Sequence, residues 1–281
     1  MSTAWQERRC SGGDLPFDAD APNLDGLKPT ERFSNRAGDY RRYRPGYPAA
    51  VADLVRGACG LDEAAPVADI GAGTGIFTRV LLEAGFEVTA VEPNAAMRAA
   101  AEEDLGRFPR FHSVDAPAER TGLPGGAFDA ITVAQAFHWF DQAAARREFL
   151  RLLRPGGQVF IVRNQRQEET SPFARDYEEM LKTLGERYHA IGHRDGIARA
   201  RSIEEFFPAG ALRKAHFDNP HVMDWAALRG RFLSMSYVPV EGEPGHGELL
   251  DRLEEIFRAH ARDGRVTFDQ ITEVYYGRLN G

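Results

Sequence analysis

Asp69, Gly71, Gly73, Gly75, Glu92 and Asp115 are the residues of this 281-residue chain whose types and spacing could do chemistry together. The glycines fall in Val67-Ala68-Asp69-Ile70-Gly71-Ala72-Gly73-Thr74-Gly75, an apolar run that ends at an acid and a glycine-dense turn. Glycines in such a turn take dihedrals closed to other residues and let a ligand approach the backbone. Glu92 follows the next apolar run and can accept two hydrogen bonds from ribose hydroxyls. Asp115 follows a third, short strand, Phe111–Val114, either as a binding acceptor or as a turn former before Pro117. Asp69 either touches the ligand or holds the turn by accepting its backbone N–H groups. Together they suit a nucleoside-like ligand lying across the ends of several strands.

The spacing narrows the ligand. A nicotinamide fingerprint needs G-x-G-x-x-G, but Ile76 stands three residues after Gly73 and the third glycine comes early, at Gly75. That disfavours an NAD(P)-dependent oxidoreductase and suits a ligand without a pyrophosphate; Glu92 does not discriminate, because both ligand classes place an acid there. The turn also lacks the Lys-Ser/Thr of a phosphate-cradling loop, so a nucleoside triphosphate is not expected.

The elements that must position these residues follow from pattern. A helix from Pro48 places Val51, Leu54, Val55 and Ala58 on one face and ends at Gly60. Val67–Ile70 reads as the first strand, and Ile76, Phe77, Val80, Leu81 and Ala84 form the stripe of the helix after the turn. Phe86–Val91 is a second strand. Asn94 caps a helix with Ala96, Met97 and Ala100 inward. Phe111–Val114 and Phe128–Ala134 are strands, Asp141 caps a helix to Leu153, and Pro155-Gly156-Gly157 turns the chain into a fifth strand, Val159–Val162. This alternation is that of an α/β, doubly wound, mainly parallel sheet. In the second half, helices are expected over Pro172–Glu186, Asp224–Ser234 and Glu248–His260, with strands at Ala215–Asn219 and Val266–Tyr276.

Composition bounds the function. A hydrophobic share of 43% and a formal charge of −7 describe a globular chain with a core and argue against nucleic acid as the main partner. No stretch approaches the ~20 apolar residues of a membrane span. The first 28 residues are rich in Asp, Gly, Pro and Ser, lack the apolar core of a secretory signal and read as a flexible arm. The two cysteines, Cys10 and Cys59, have no metal-ligand spacing and fit a reducing cytoplasm. His189 and His193 are four apart but have no partner ligand nearby in sequence, so no metal is expected.

Asp69–Gly75, Val91-Glu92-Pro93, Asp115-Ala116 and Leu153–Gly157 occur in order and resemble the successive motifs of class I S-adenosylmethionine-dependent methyltransferases. Arg44-Pro45-Gly46-Tyr47-Pro48, Ala134–Asp141 and Ser234–Pro239 are similar to a small-molecule subgroup, the trans-aconitate methyltransferases and their relatives. The resemblance implies a Rossmann-like, seven-stranded sheet with helical insertions in the C-terminal half. It implies a methyltransferase domain over residues 29–281: an N-terminal lid and helix (29–60), a cofactor-binding core (66–163), then substrate-side insertions and closing strands (164–281).

It also implies roles. Gly71, Ala72 and Gly73 would line the methionine part of S-adenosyl-L-methionine, with Asp69 reaching its amino group directly or through water and Gly75 also among the cofactor-binding residues. Glu92 would hold the ribose, Pro93 and Met97 would flank the adenine, and Asp115 and Ala116 would meet its edge. Ala134 and Gln135 would lie near the sulfonium. His138, whose ordinary pKa is near neutral, would serve as a general base, or else shape the pocket wall with Trp139. Tyr40, Tyr43, Arg44, Trp139, Ser236 and Tyr237 are expected on the lid or acceptor side. The reaction implied is in-line methyl transfer to a small molecule. A protein or cyclase that binds the cofactor without transferring methyl is the alternative.

Overall fold

A computed structural model describes residues 44–184, 195–235 and 238–280. Tyr40, Tyr43, Ser236, Tyr237, His189 and His193 lie outside the described residues.

The first helix, α1 (Ala50–Cys59), buries Val51, Ala52 and Val55 and is closed by left-handed Gly60. Then follow β1 (Pro66–Ile70), α2 (Ile76–Glu83), β2 (Glu87–Val91), α3 (Ala95–Leu105), β3 (Phe111–Val114) and β4 (Phe128–Ala134). A short 3₁₀ turn, Phe137–Trp139, leads to α4 (Gln142–Leu152) and β5 (Leu153–Arg166). The second half contributes α5 (Pro172–Lys182), α6 (Asp195–Phe206), β6 (Arg213–Asp218), β7 (His221–Met223), α7 (Trp225–Leu233), α8 (His246–His260), β8 (Val266–Phe268) and β9 (Gln270–Gly277).

Seven strands form one sheet in the order β3-β2-β1-β4-β5-β9-β6. β3, β2, β1, β4 and β5 pair in parallel, and β9 runs antiparallel between β5 and β6. Period-two alternation sorts side chains to two faces. Ala68, Ile70, Ile131, Val133, Val159 and Ile161 pack with Phe149 of α4 and Phe206 of α6. Val67, Val88, Ala130 and Phe160 pack with Val51 of α1, Phe77 of α2 and Leu105 of α3. The expected doubly wound, mainly parallel sheet is present. Its strand order reverses between β1 and β4, which opens a crevice at the carboxyl ends of those strands.

Several boundaries differ from expectation. β5 begins at Leu153 and runs through the Pro-Gly-Gly segment without a turn. Its pairing jumps from Phe128–Leu153 to Ala130–Gln158, so residues 154–157 bulge opposite Asp129. A bulge is where a strand tolerates Pro155, which has no N–H for the ladder. The expected strand Val266–Tyr276 is two: β8 pairs with β7 in a small separate sheet, and β9 enters the main one. The apolar spacing slips there from two to three, between Phe268 and Ile271, because the buried positions 270 and 272 carry Gln and Thr. On α3 the buried face is Met97, Ala101 and Leu105, while Ala96 and Ala100 are only partly covered. α6 and β7 were not expected.

α5, α7, α8 and the β7–β8 pair enclose a third apolar cluster, with Phe173, Tyr177, Phe232 and Phe268 at its centre. No helix among the described residues is long and apolar enough to cross a membrane.

Candidate cofactor site

The glycine turn is fixed first by the backbone of its neighbour. Gly71 and Ala72 donate their N–H groups to the Val91 carbonyl at the end of β2, at 2.8 and 3.1 Å. Gly73 donates to Glu92 Oε2 at 2.9 Å, and Asn94 donates to Glu92 Oε1 at 2.8 Å. Asn94 Oδ1 in turn accepts from Met97 N at 3.0 Å and caps α3. One carboxylate therefore joins the turn after β1 to the helix start after β2. Burial pushes the Glu92 carboxyl above its usual range, while the two N–H donors oppose that shift. Each of its oxygens keeps acceptor capacity for a further donor.

Above this junction lies a cavity of about 970 Å³, counting its open mouth. Gly71, Ala72, Gly73, Glu92, Pro93 and Met97 line one side, and Ala134, Gln135, Trp139 and Arg44 line another. The β4 end is held in a costly conformation: Gln135 has φ of 56°, a left-handed value rare outside glycine. Its N–H donates to Val162 O at 3.0 Å and its side-chain amide to Asn164 O at 3.1 Å.

Other expected residues stand apart from the lining. Asp69 is fully buried beneath the turn, where Thr78 Oγ1 donates to it at 2.6 Å and Thr132 Oγ1 at 2.8 Å. It accepts hydroxyls from α2 and β4, not backbone N–H groups of the turn, and burial raises its pKa to about 6. Gly75 faces α3, and a Cβ there would come 2.5 Å from Leu105 Cδ1. Asp115 is exposed and bonded by Arg98 Nη2 at 2.9 Å, and Ala116 is buried in the core. His138 is half-buried, its ring 4.7 Å from that of the lining Trp139. No cluster of metal-ligating side chains occurs among the described residues.

Residues 68–161, from β1 through most of β5, match the model of a methyltransferase domain. An uncharacterised methyltransferase of Mycobacterium bovis is 32% identical over 228 residues, covering 81% of this chain and 86% of its own. The chain belongs to the methyltransferase family. Among solved structures, a chain assigned as a type II methyltransferase from Anaeromyxobacter dehalogenans superposes with a TM-score of 0.60 at 25% identity, covering 84% of this chain and 98% of that one. A phosphoethanolamine N-methyltransferase of Haemonchus contortus, solved with phosphomonomethylethanolamine and S-adenosylhomocysteine, shares the fold at a TM-score of 0.50 and 15% identity, covering 90% of this chain and 58% of its own.

In this methyltransferase the cavity also takes Thr74, Phe77, Asn94, Phe140 and Asn164 into its wall. Sequence reasoning did not select them for the site. Asn164 lies at the carboxyl end of β5, so the rule that ligands sit beyond strand ends would have included it had β5 been drawn to its full length. Thr74 stands inside the glycine motif, where a lone threonine carries no pattern of its own.

Proposed function

We propose that this chain transfers a methyl group from S-adenosyl-L-methionine to a small-molecule acceptor. The cofactor supplies an electrophilic methyl on a sulfonium, passed by in-line displacement to a nucleophile of the acceptor. The observation that carries the reading is the Glu92 carboxylate, anchored by two backbone N–H groups at the wall of the cavity with acceptor capacity to spare.

The residues present fit this cofactor. A Cβ on Gly73 would meet nothing nearer than Met97 Sδ at 3.8 Å, so the space over the turn is open to a ligand. Thr74 Oγ1 is buried in the wall with no hydrogen-bond partner among the described residues, a donor awaiting an acceptor. Gly71, Ala72 and Gly73 would hold the methionine part, Glu92 the ribose, and Pro93 and Met97 the adenine. Ala134 and Gln135 would face the sulfonium. Asp69 and Gly75 would act from beneath, by shaping the turn, and Asp115 and Ala116 from the adenine edge.

Arg44 and Trp139 would border the acceptor, and His138 beside Trp139 would take its proton. Alignment and exclusion of water would supply most of the rate. Within the family, the resemblance of Arg44–Pro48 and Ala134–Asp141 to the trans-aconitate methyltransferases favours a small acceptor over a nucleic acid. Residues 66–163 would form the cofactor-binding core and 164–281 the acceptor side.

Calorimetry with S-adenosylhomocysteine tests the cofactor reading. The wild type is expected to bind, and Glu92→Ala, checked for folding by circular dichroism, at least tenfold more weakly, since hydrogen bonds to a charged group are worth about 1.5–3 kcal/mol. Equal affinities would remove Glu92 from the site. Formation of S-adenosylhomocysteine with an acceptor separates transfer from mere binding.

A further inference from the structure

The segment Arg44–Pro48 forms part of the cavity wall from outside the sheet: Arg44, Pro45 and Tyr47 line it. Tyr47 packs edge-on against Phe77 of α2, with ring centres 4.9 Å apart. Arg44 Nη2 donates to Ser234 O, just past α7, at 3.4 Å. Between these two ends, the Gly46 carbonyl accepts two side-chain amides, Asn164 Nδ2 at 3.1 Å and Asn219 Nδ2 at 3.0 Å. Two donors use the full capacity of a carbonyl oxygen.

Asn219 belongs to the C-terminal half and does not line the cavity. Its backbone N–H donates to Gln270 O at 2.8 Å, which ties it to the first residue of β9. Its amide also lies 3.2 Å from Asn164 Oδ1 and 3.1 Å from Thr272 Oγ1. Thr272 Oγ1 donates to Asn164 Oδ1 at 2.6 Å, and the Asn164 carbonyl accepts from Gln135 Nε2 at 3.1 Å. A continuous set of hydrogen bonds thus runs from left-handed Gln135 at the tip of β4, through Asn164 and Gly46, to Asn219 and β9.

We infer that Asn219 is a positioning residue that latches the Arg44–Pro48 strap against the cofactor cavity. The inference rests on the reading of that cavity as the S-adenosylmethionine site. The strap carries lining side chains but little secondary structure of its own, and its carbonyl tie to residues 118 and 173 positions away sets where Arg44 and Tyr47 stand. Removing the Asn219 amide leaves Asn164 alone on Gly46, so the strap spends less time closed. Cofactor affinity falls with the closed fraction, because only the closed state completes the wall. The latch also makes cofactor retention depend on the half of the chain that carries the acceptor-side helices.

The test compares full-length wild type, Asn219→Ala and Asn219→Asp. S-adenosylhomocysteine affinity is read by calorimetry, its dissociation rate by stopped-flow tryptophan fluorescence with Trp139 in the wall as reporter, and thermal midpoints alongside. Asn219→Ala is expected to bind more weakly, by up to roughly five- to thirty-fold, the limit that loss of one or two neutral hydrogen bonds sets on the closed fraction, and to release ligand correspondingly faster. Asn219→Asp keeps the shape but sets acceptor oxygens against Gly46 O and Asn164 Oδ1, so it should lose more than the alanine variant. A side chain needed only for packing would tolerate that isosteric change. Unchanged affinity in both variants, or a lower midpoint with unchanged affinity, overturns the latch. Should Asn219→Ala fail to fold, the isosteric variant carries the comparison. Absence of binding by the wild type is a different result, which overturns the cofactor reading itself and the latch with it.

Discussion

Asp69 and Thr132 stand opposite each other in register across β1 and β4, and the Thr132 hydroxyl donates to the Asp69 carboxylate in a fully buried position. Thr78 of α2 donates to the other oxygen. The acid therefore pins the helix after the glycine turn to the strand across the crevice. It supports the site from below.

That burial has a consequence for stability. The Asp69 pKa rises from 3.8 to about 6, with desolvation as the largest cause and the two hydroxyls opposing it. The folded chain then binds this proton more readily than the unfolded chain. Its contribution to stability is fullest below about pH 4 and is lost as pH rises through about 6, an effect of roughly 2–3 kcal/mol. Asn at this position carries no charge and can both accept from one hydroxyl and donate to the other. Urea denaturation at pH 4 and pH 7.5 should therefore show a smaller loss for Asp69→Asn than for the wild type, by about that amount. Parallel losses in the two proteins would show that Asp69 does not titrate in this range.

Much of the fold of residues 66–163 was legible, because β1, β2 and β4 are short, largely apolar runs that end in marked turns. Gly73 and Glu92 line the cavity because they follow strand ends, and Met97 lines it from the first turn of α3. Asp69 and Gly75 carry the same motif but sit under the turn, and a linear pattern does not show which side of a turn a residue faces. The strap's tie to Asn219 was invisible for a different reason: 173 residues separate the partners, and neither Gly46 nor Asn219 is an unusual residue for a loop. The switch of sheets at Asp269 showed only as a slip of the apolar spacing from two to three, because β9 buries Gln270 and Thr272 where the period would call for apolar residues.

The base role of His138 can be separated from a wall role. His138 occupies the 3₁₀ turn after β4, half-buried, with its ring against Trp139. If it takes the acceptor proton, His138→Asn should lower kcat by about 10²–10⁴-fold, leave S-adenosylhomocysteine affinity within a few-fold of wild type, and abolish the limb of the pH–rate profile near neutrality. A variant that keeps both rate and profile assigns His138 to the wall beside Trp139.

Gly73 and Gly75 are two residues apart in one motif, yet their surroundings predict opposite defects. Gly75 has φ of 78°, and a Cβ there would lie 2.5 Å from Leu105 Cδ1 and 3.2 Å from the Ala101 Cβ. Left-handed backbone costs an alanine about 1–2 kcal/mol and an overfilled helix contact about 1–3 more. Gly75→Ala should thus lower stability by roughly 2–5 kcal/mol, with cofactor affinity reduced less than at Gly73 in whatever fraction folds. Gly73 has φ of 58°, and its added Cβ would reach only Met97 Sδ, in space open to the ligand. Gly73→Ala should cost about 1–2 kcal/mol of stability from the backbone alone and weaken S-adenosylhomocysteine binding at least tenfold, because the methyl competes for the cavity. Denaturation and calorimetry on the pair would show the split. If Gly75→Ala instead loses binding with full stability, the α3 contact at Leu105 has been misjudged and both glycines belong to the cavity.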